Sequence, residues 1–244
     1  MPWIGAINLK VLVMDSDYYA MQSINGYLAW DRRTRVTFMT TRLDEFWNYL
    51  RETAVAELPD VIILDADHLG DAEQVQKILT RLQNIVPNAA LICLAQSVPP
   101  SLIEVVAEST ARAYMLKDEV GMQIAWAVVY ALERDFVITS GVSRQLKDTH
   151  NKRLYQADIL PEQREYPEMT DRIRQAIRLC VIEGMPAHLA ADEMGISLHT
   201  IRGYIKEGYR ILESYDQNEY PTDMTPQERA FMRFTALASE KQKS

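Results

Sequence analysis

Two acids and one lysine stand at the ends of three separate apolar runs. They are Asp15, Asp65 and Lys117, which directly follow VLVM, VIIL and AYML. Two carboxylates held close together repel each other, and this repulsion favours a divalent cation or an ammonium group between them. A single Asp at such a place would be an ordinary turn residue. Three such ends indicate a specific site, provided that the fold brings them together.

The apolar runs predict strands that are buried on both faces. Five of them alternate with segments of helical period: VLVM (11–14), VTFM (36–39), VIIL (61–64), ALICLA (90–95) and AYML (113–116). This alternation predicts an α/β domain with a parallel, doubly wound sheet of five strands. Right-handed crossovers then place all five carboxyl ends along one edge. If the first, third and fifth strands lie side by side, the two acids and the lysine converge there.

Composition excludes several classes of protein. The chain has 244 residues, 48% of them hydrophobic, which is enough for a substantial core. Its net charge of −8 argues against a general polyanion-coating protein but allows a local nucleic-acid reader. Cys93 and Cys180 are far apart in apolar surroundings, which predicts reduced thiols. The opening MPWIGAINLK is not a signal peptide and no run reaches the ~20 residues of a membrane span, so we expect a soluble, cytoplasmic protein.

The chain changes character after residue 137. The following stretch is polar, weakly periodic and contains two prolines, which indicates a linker, and helical signals return afterwards. Near the end, Thr225 and Glu228 form a capping box that opens an extra helix. The predicted organisation is an α/β domain over 1–137, a linker over 138–168 and an all-α domain over 169–244.

The stretch LAADEMGISLHTIRGYIKEGYRIL has the spacing of a helix-turn-helix. Gly195 permits the sharp turn, and Ser197 caps the second helix. The pattern leaves six residues of that helix with exposed faces: His199, Thr200, Arg202, Gly203, Lys206 and Arg210. Because Arg202 and Lys206 are four residues apart, both can reach a groove of double-stranded DNA or its flanking phosphates.

Residues 10–135 resemble the receiver domain of bacterial two-component response regulators, which has a flavodoxin-like fold. The resemblance implies that Asp65 is the phospho-accepting aspartate and Asp15 the first acid of the family's acidic pair. It also implies that Lys117 pairs with the phosphoryl group. Tyr114, three residues before that lysine, falls on the aromatic switch position.

Two departures from the family pattern predict an atypical receiver. The second acid of the pair is replaced by Ser16, whose neutral hydroxyl is a poorer Mg²⁺ ligand than a carboxylate. Asp17 extends the acidic pocket from the loop, but we expect its side chain to point in a different direction from that of Ser16. The hydroxyl residue that couples the phosphoryl group to the switch is replaced by Ala95, which has no donor. We expect any Mg²⁺ site to be weak and to use Asp15, Asp65 and Asp67.

Residues 166–214 resemble the LuxR/NarL-type DNA-binding domain through the motif ISLHTIRGY. The resemblance places Arg202, Gly203 and Lys206 at groove-facing positions. Gly203 and Gly208 depart from the family, since each glycine destabilises a helix by up to ~1 kcal/mol. Residues 186–212 carry three acids and three bases, so their net charge is zero and provides little electrostatic attraction to DNA.

These features predict an atypical response regulator that acts as a dimeric, DNA-binding transcription regulator and not as an enzyme. Expected partners are double-stranded DNA and a second copy of the chain, with a histidine kinase or RNA polymerase as further candidates. Dimerisation or a partner, rather than ordinary phosphorylation, would control it. One alternative is a protein-interaction adaptor that does not read DNA. Another is phosphoryl hydrolysis at Asp15 and Asp65, for which the sequence offers no second acid and no water-positioning base.

Overall fold

The computed structural model describes residues 8–146, 151–216, 218 and 220–238. These residues form two compact units that divide between residues 162 and 163. We call them the N-terminal unit and the C-terminal unit. None of the helices in the described ranges has the length and apolar character needed to cross a bilayer.

The N-terminal unit is built on one parallel sheet. Its described strands are β1 (Leu9–Met14), β2 (Thr34–Thr40), β3 (Val61–Asp65), β4 (Ala90–Ala95), β5 (Ala113–Leu116), β6 (Val137–Ile138) and β7 (Asp158–Ile159). Their order is β2-β1-β3-β4-β5-β6-β7, and every pair is parallel. The first five strands have the flavodoxin-like order 2-1-3-4-5, which confirms the predicted fold class. The predicted number of five strands is wrong, because the described sheet has seven.

Helices connect the strands and cover the sheet. They are α1 (Tyr18–Ala29), α2 (Leu43–Glu52), α3 (Ala72–Ile85), α4 (Pro100–Glu108), α5 (Lys117–Val120), α6 (Ile124–Leu132), α7 (Ser140–Gln145) and α8 (Lys152–Tyr155). Asp17 caps α1 by accepting from the amides of residues 19 and 20, and Asp71 caps α3. Every residue of β3 and β4 is buried, as expected of central strands with both faces covered.

The segment predicted as a linker, 138–168, belongs mostly to the N-terminal unit. Its first part adds α7, α8 and the short strands β6 and β7 to the sheet edge next to β5. Arg153 fastens this extension, since its guanidinium donates to the carbonyls of Ala107, Ser109, Ala111 and Asp135. Two-residue strands carry too little periodicity to be recognised, which explains the error. Residues 147–150 of the predicted linker lie outside the described residues.

The C-terminal unit is helical, as predicted. It contains α9 (Asp171–Ile177), a π-helical segment (Arg178–Ile182), α10 (Ala187–Met194), α11 (Leu198–Ser214) and α12 (Pro226–Phe234). The predicted caps are confirmed at Thr170 and Ser197, and Thr225 forms the predicted capping box with Glu228. Gly195 has a φ of +64°, so it makes the turn between α10 and α11 in a left-handed conformation that favours glycine.

Close helix packing explains why residue 208 on α11 is a glycine. A Cβ atom at this position would lie 2.5 Å from Cγ1 of Ile177, which is fully buried on α9. The missing side chain therefore allows α11 to cross α9 closely. By contrast, a Cβ atom at Gly203 would meet nothing within 4 Å. The two glycines that depart from the family pattern thus have different local surroundings.

Candidate functional site: a charged rim and an exposed helix

The carboxyl edge of the sheet brings Asp15, Asp65 and Lys117 together, as predicted. The Lys117 Nζ lies 2.8 Å from Oδ2 of Asp15 and 3.0 Å from Oδ1 of Asp65. Both aspartates are 1% exposed. The expected strand neighbourhood was wrong in one respect, because β4 separates β3 from β5. The long lysine side chain reaches past the end of β4, so the three groups still meet.

Polar groups from the two loops beside Asp65 also surround its carboxylate. Ser16 donates to Oδ2 of Asp65 from its hydroxyl at 2.7 Å and from its amide at 3.2 Å. The Nδ1 of His68 lies 2.7 Å from the same oxygen. His68 sits three residues after Asp65 in a single 3₁₀ turn, Ala66–His68. A lone histidine in a loop is more often solvated or switch-like than part of a site, so its residue type did not mark this contact. The one sequence signal for the contact between His68 and Asp65 was their separation by three residues in a short turn.

Burial and the ammonium group set the protonation states at the rim. Burial raises the pKa of the Asp15 carboxyl above its usual value, and the charge of Asp65 adds to the rise although Lys117 opposes it. Burial also acts to raise the pKa of Asp65, but hydrogen bonds from Ser16 and Lys117 outweigh it, so this pKa is lowered. Burial acts to lower the pKa of Lys117, but its bonds to Asp15 and Asp65 raise it. The cluster therefore holds an ionised Asp65 against a charged lysine.

Two acids assigned to the site have other tasks in the structure. Asp17 caps α1, and its own amide donates to Oδ1 of Asp15 at 3.0 Å. Asp67 accepts from the hydroxyl of Ser97 at 2.7 Å and from the amide of Gln96. Its two oxygens are therefore directed to the loop after β4. Asp67 does not complete a ligand set with Asp15 and Asp65, which corrects the expected grouping.

The rim residues do not fit an octahedral Mg²⁺ shell well. Each of the four oxygens of Asp15 and Asp65 already accepts from a donor of the protein. Residue 16 supplies a hydroxyl that donates to Asp65 rather than a carboxylate. Among the residues that the structure describes, no group of three or more His, Cys, Asp or Glu side chains is placed to hold a metal ion. Lys117 supplies the positive charge that a divalent cation would otherwise bring.

The predicted switch residues occupy the strands beside the rim. Ala95 ends β4, is fully buried and has no side-chain donor. Tyr114 on β5 is also fully buried, and its hydroxyl donates to the carbonyl of Ser97 at 2.9 Å. Burial raises the pKa of this tyrosine, so it is a neutral donor. Ser97 was missed by sequence analysis, since a serine in a loop carries no distinguishing signal.

The α11 helix presents the residues predicted to contact DNA. Five are exposed and one, Thr200, is half-buried: His199, Thr200, Arg202, Gly203, Lys206 and Arg210. The opposite side of the helix is buried through Ile201 and Ile211. Two of the six have partners within the helix. The Thr200 amide donates to the Ser197 hydroxyl, and Arg210 makes two hydrogen bonds with Glu207 at 2.6 and 3.0 Å.

Comparison with known proteins finds a distant likeness. No protein-family model and no curated protein matches the chain. A structure of two RcsB dimers bound to two parallel DNAs is 18% identical, with 82% of this chain and 89% of that chain covered and a TM-score of 0.49. RcsB from Salmonella enterica serovar Typhimurium, bound to promoter rprA with a phosphomimetic, is 16% identical, with coverage of 94% and 100% and a TM-score of 0.46. RcsB is described as a response regulator.

Proposed function

We propose that this protein is a DNA-binding transcription regulator of the response-regulator type whose receiver works without phosphorylation of Asp65. The observation that carries the first part is the exposed face of α11. Arg202 and Lys206 are exposed one helical turn apart, while Ile201 and Ile211 anchor the other side. An anchored helix that carries exposed cations along one side fits the major groove, where arginine reads guanine and lysine contacts phosphates or bases.

The second part is supported by the contacts of Asp65. Phosphoryl transfer requires an oxygen of this carboxylate to attack, and each hydrogen bond that the oxygen accepts makes it a weaker nucleophile. Oδ2 of Asp65 accepts two hydrogen bonds from Ser16 and lies 2.7 Å from Nδ1 of His68, and Oδ1 is paired with Lys117. Because Ser16 replaces an acid, the rim also lacks a ligand for the Mg²⁺ that would draw in a phosphodonor. Regulation by a second copy of the chain or by a protein partner is part of this proposal.

DNA reading is tested with duplexes that the wild-type protein enriches from a random pool. We expect Arg202→Ala to weaken binding by about 1–3 kcal/mol and to relax preference at one base position. Lys206→Ala should weaken binding to all sequences evenly and lower the salt slope by about 0.9 if it contacts one phosphate. The matched controls Arg51→Ala and Lys77→Ala remove the same charges from exposed sites on α2 and α3. Equal losses in variants and controls would contradict DNA reading by α11.

Phosphorylation is tested by incubating the protein with Mg²⁺ and acetyl phosphate and measuring the intact mass. We expect no added phosphate on the wild-type chain or on Asp65→Asn. The double variant Ser16→Asp, Ala95→Thr restores the two missing family residues and should gain a detectable phosphorylated fraction. Stoichiometric phosphate on the wild-type chain that disappears in Asp65→Asn would overturn this part of the proposal and leave the DNA part standing.

One observation favours the rival function of a protein-interaction adaptor. Leu189 on α10 and Leu198 on α11 are 49% and 38% exposed, and residues 186–212 carry equal numbers of acids and bases. Exposed leucines on a neutral surface suit a protein partner better than a phosphate backbone. The same enrichment experiment separates the two functions. An adaptor enriches no duplex over the starting pool, whereas a DNA reader does.

A further inference from the structure

One carboxylate joins the loops that follow β3 and β4. Asp67 lies in the 3₁₀ turn after β3, and both of its oxygens are used by the loop after β4. Oδ1 accepts from the Ser97 hydroxyl at 2.7 Å, and Oδ2 accepts from the Gln96 amide. Hydrogen bonds to an ionised acceptor are about twice as strong as neutral ones. Two such bonds to adjacent residues fix both the position and the orientation of this loop.

Ser97 extends the connection to β5. While its hydroxyl donates to Asp67, its carbonyl accepts from the Tyr114 hydroxyl at 2.9 Å. Tyr114 is fully buried, so its hydroxyl needs a partner within the protein. The three residues therefore form a continuous chain from the β3 loop, through the β4 loop, to the core side of β5. If the Ser97 carbonyl moved away, the Tyr114 hydroxyl would lose the acceptor that keeps it inside.

This chain is separate from the contacts of Asp65. The side chains in contact with the Asp65 carboxylate are Ser16, His68 and Lys117, whereas Asp67 is bonded to Gln96 and Ser97. At the end of β4, where a hydroxyl could have linked the loop to the chemistry of Asp65, the chain has Ala95. A change of charge at Asp65 thus meets no donor from the β4 loop.

We infer that Asp67 is a positioning residue that holds the β4–α4 loop and Tyr114 in one conformation, whatever the chemical state of Asp65. This inference deepens the proposed phosphorylation-independent function and rests on it for its biological meaning. The exposed face of α4, which follows this loop, is then held in place by a carboxylate of the chain itself. A partner or a second copy that binds this surface finds it already formed.

The test measures amide hydrogen exchange at Gln96 by NMR in the untreated full chain. In the wild-type protein we expect the Gln96 amide to exchange slowly, because Asp67 accepts from it. We expect Asp67→Ala to speed this exchange at least 10-fold. Asp67→Asn keeps an oxygen for the Gln96 amide and an NH₂ group for the Ser97 oxygen, so it should retain most of the protection. Glu104→Ala removes an exposed acid of α4 and should leave the rate unchanged.

The Leu94 amide, inside β4, serves as the internal reference in each variant. Its rate should stay constant, which separates local opening of the loop from loss of global stability. Equal rates at Gln96 in wild type and Asp67→Ala, or the same rise in Glu104→Ala, would overturn the inference. If Asp67→Ala fails to fold, Ser97→Ala decides, since it removes one of the two bonds and should give a smaller rise. These rates need neither DNA nor phosphate, so their failure is distinct from failure of the proposed function.

Discussion

The rim of the N-terminal sheet and the exposed face of α11 carry their charges under opposite conditions. At the rim, Asp15, Asp65 and Lys117 are largely withdrawn from water, and the single ammonium group lies 2.8 and 3.0 Å from the two carboxylates. On α11, Arg202 and Lys206 are exposed to solvent. Buried charges are costly unless they are paired, whereas exposed charges cost little and are free to meet an external anion.

The difference supports the proposal that the helix binds a partner and that the rim stays fixed. A carboxylate that is ready for phosphorylation keeps some of its hydrogen-bonding capacity for the incoming group and its metal. The rim instead uses that capacity on Ser16, His68 and Lys117. The helix packs its buried side against the core of its own unit and exposes its cations to solvent. Under the proposed function, the helix contacts the external ligand and the rim serves as a structural element.

The largest expected effect follows from removing the ammonium at the rim. Lys117→Met leaves two buried carboxylates without their shared partner, so we expect the free energy of unfolding to fall by about 3–5 kcal/mol at pH 7. Chemical denaturation measures this. Lys77→Met, the control, removes an exposed lysine paired with Glu73 and should cost less than about 1 kcal/mol. Similar small losses in both variants would mean that the rim is not a buried charge cluster.

A smaller effect is expected in the packing beneath the exposed helix. Gly208→Ala would place a methyl group against Ile177, so overpacking should destabilise the protein by about 1–3 kcal/mol despite the better helix propensity of alanine. Gly203→Ala on the same helix meets open space and should stabilise it by about 0.5–1 kcal/mol. Thermal unfolding of both variants measures the contrast. Opposite signs are the essential result, and two stabilising substitutions would contradict the close crossing of α9 and α11.

The pH dependence of stability sharpens the description of the rim. The pKa of Asp65 is lowered in the fold, chiefly by Ser16 and Lys117 acting against burial. A group of this kind stabilises the fold above its unfolded pKa, and this contribution is lost as the pH falls through the folded pKa. The stability difference between wild type and Asp65→Asn should therefore be constant above about pH 5 and change below pH 4. A difference that is independent of pH would show that Asp65 gains nothing from its donors.

The smallest effect concerns the ion pair on α11. Glu207 holds Arg210 through two hydrogen bonds at an exposed position. Glu207→Gln should release the arginine and raise non-specific DNA affinity two- to five-fold at low salt, with almost no change in stability. Glu213→Gln removes another exposed acid of α11 and controls for net charge. An unchanged affinity would indicate that Arg210 lies outside the DNA contact.

The sequence by itself determined the first five strands, three helix caps of the C-terminal unit and the three charged residues at the rim. These features are local or periodic. An apolar run such as VIIL indicates a buried strand, and Thr225 and Glu228 define a helix cap within four residues. The parallel, doubly wound sheet followed from the alternation of such runs with helices, because right-handed crossovers leave few topologies, and the flavodoxin-like class was implied by the resemblance to receiver domains. The exposed face of α11 followed from its helical period in the same way.

Only the tertiary structure decided which residues of these elements contact one another. The strand positions of β6 and β7 depend on a guanidinium, that of Arg153, which binds backbone carbonyls more than 40 residues away in sequence. The task of Asp67 depends on Ser97, 30 residues further along the chain. Gly208 is explained by its neighbour Ile177 on another helix. The types of these residues do not indicate in the sequence that they will meet. Hydrogen bonds and close packing depend on distance in space, which the fold decides, and not on distance along the chain.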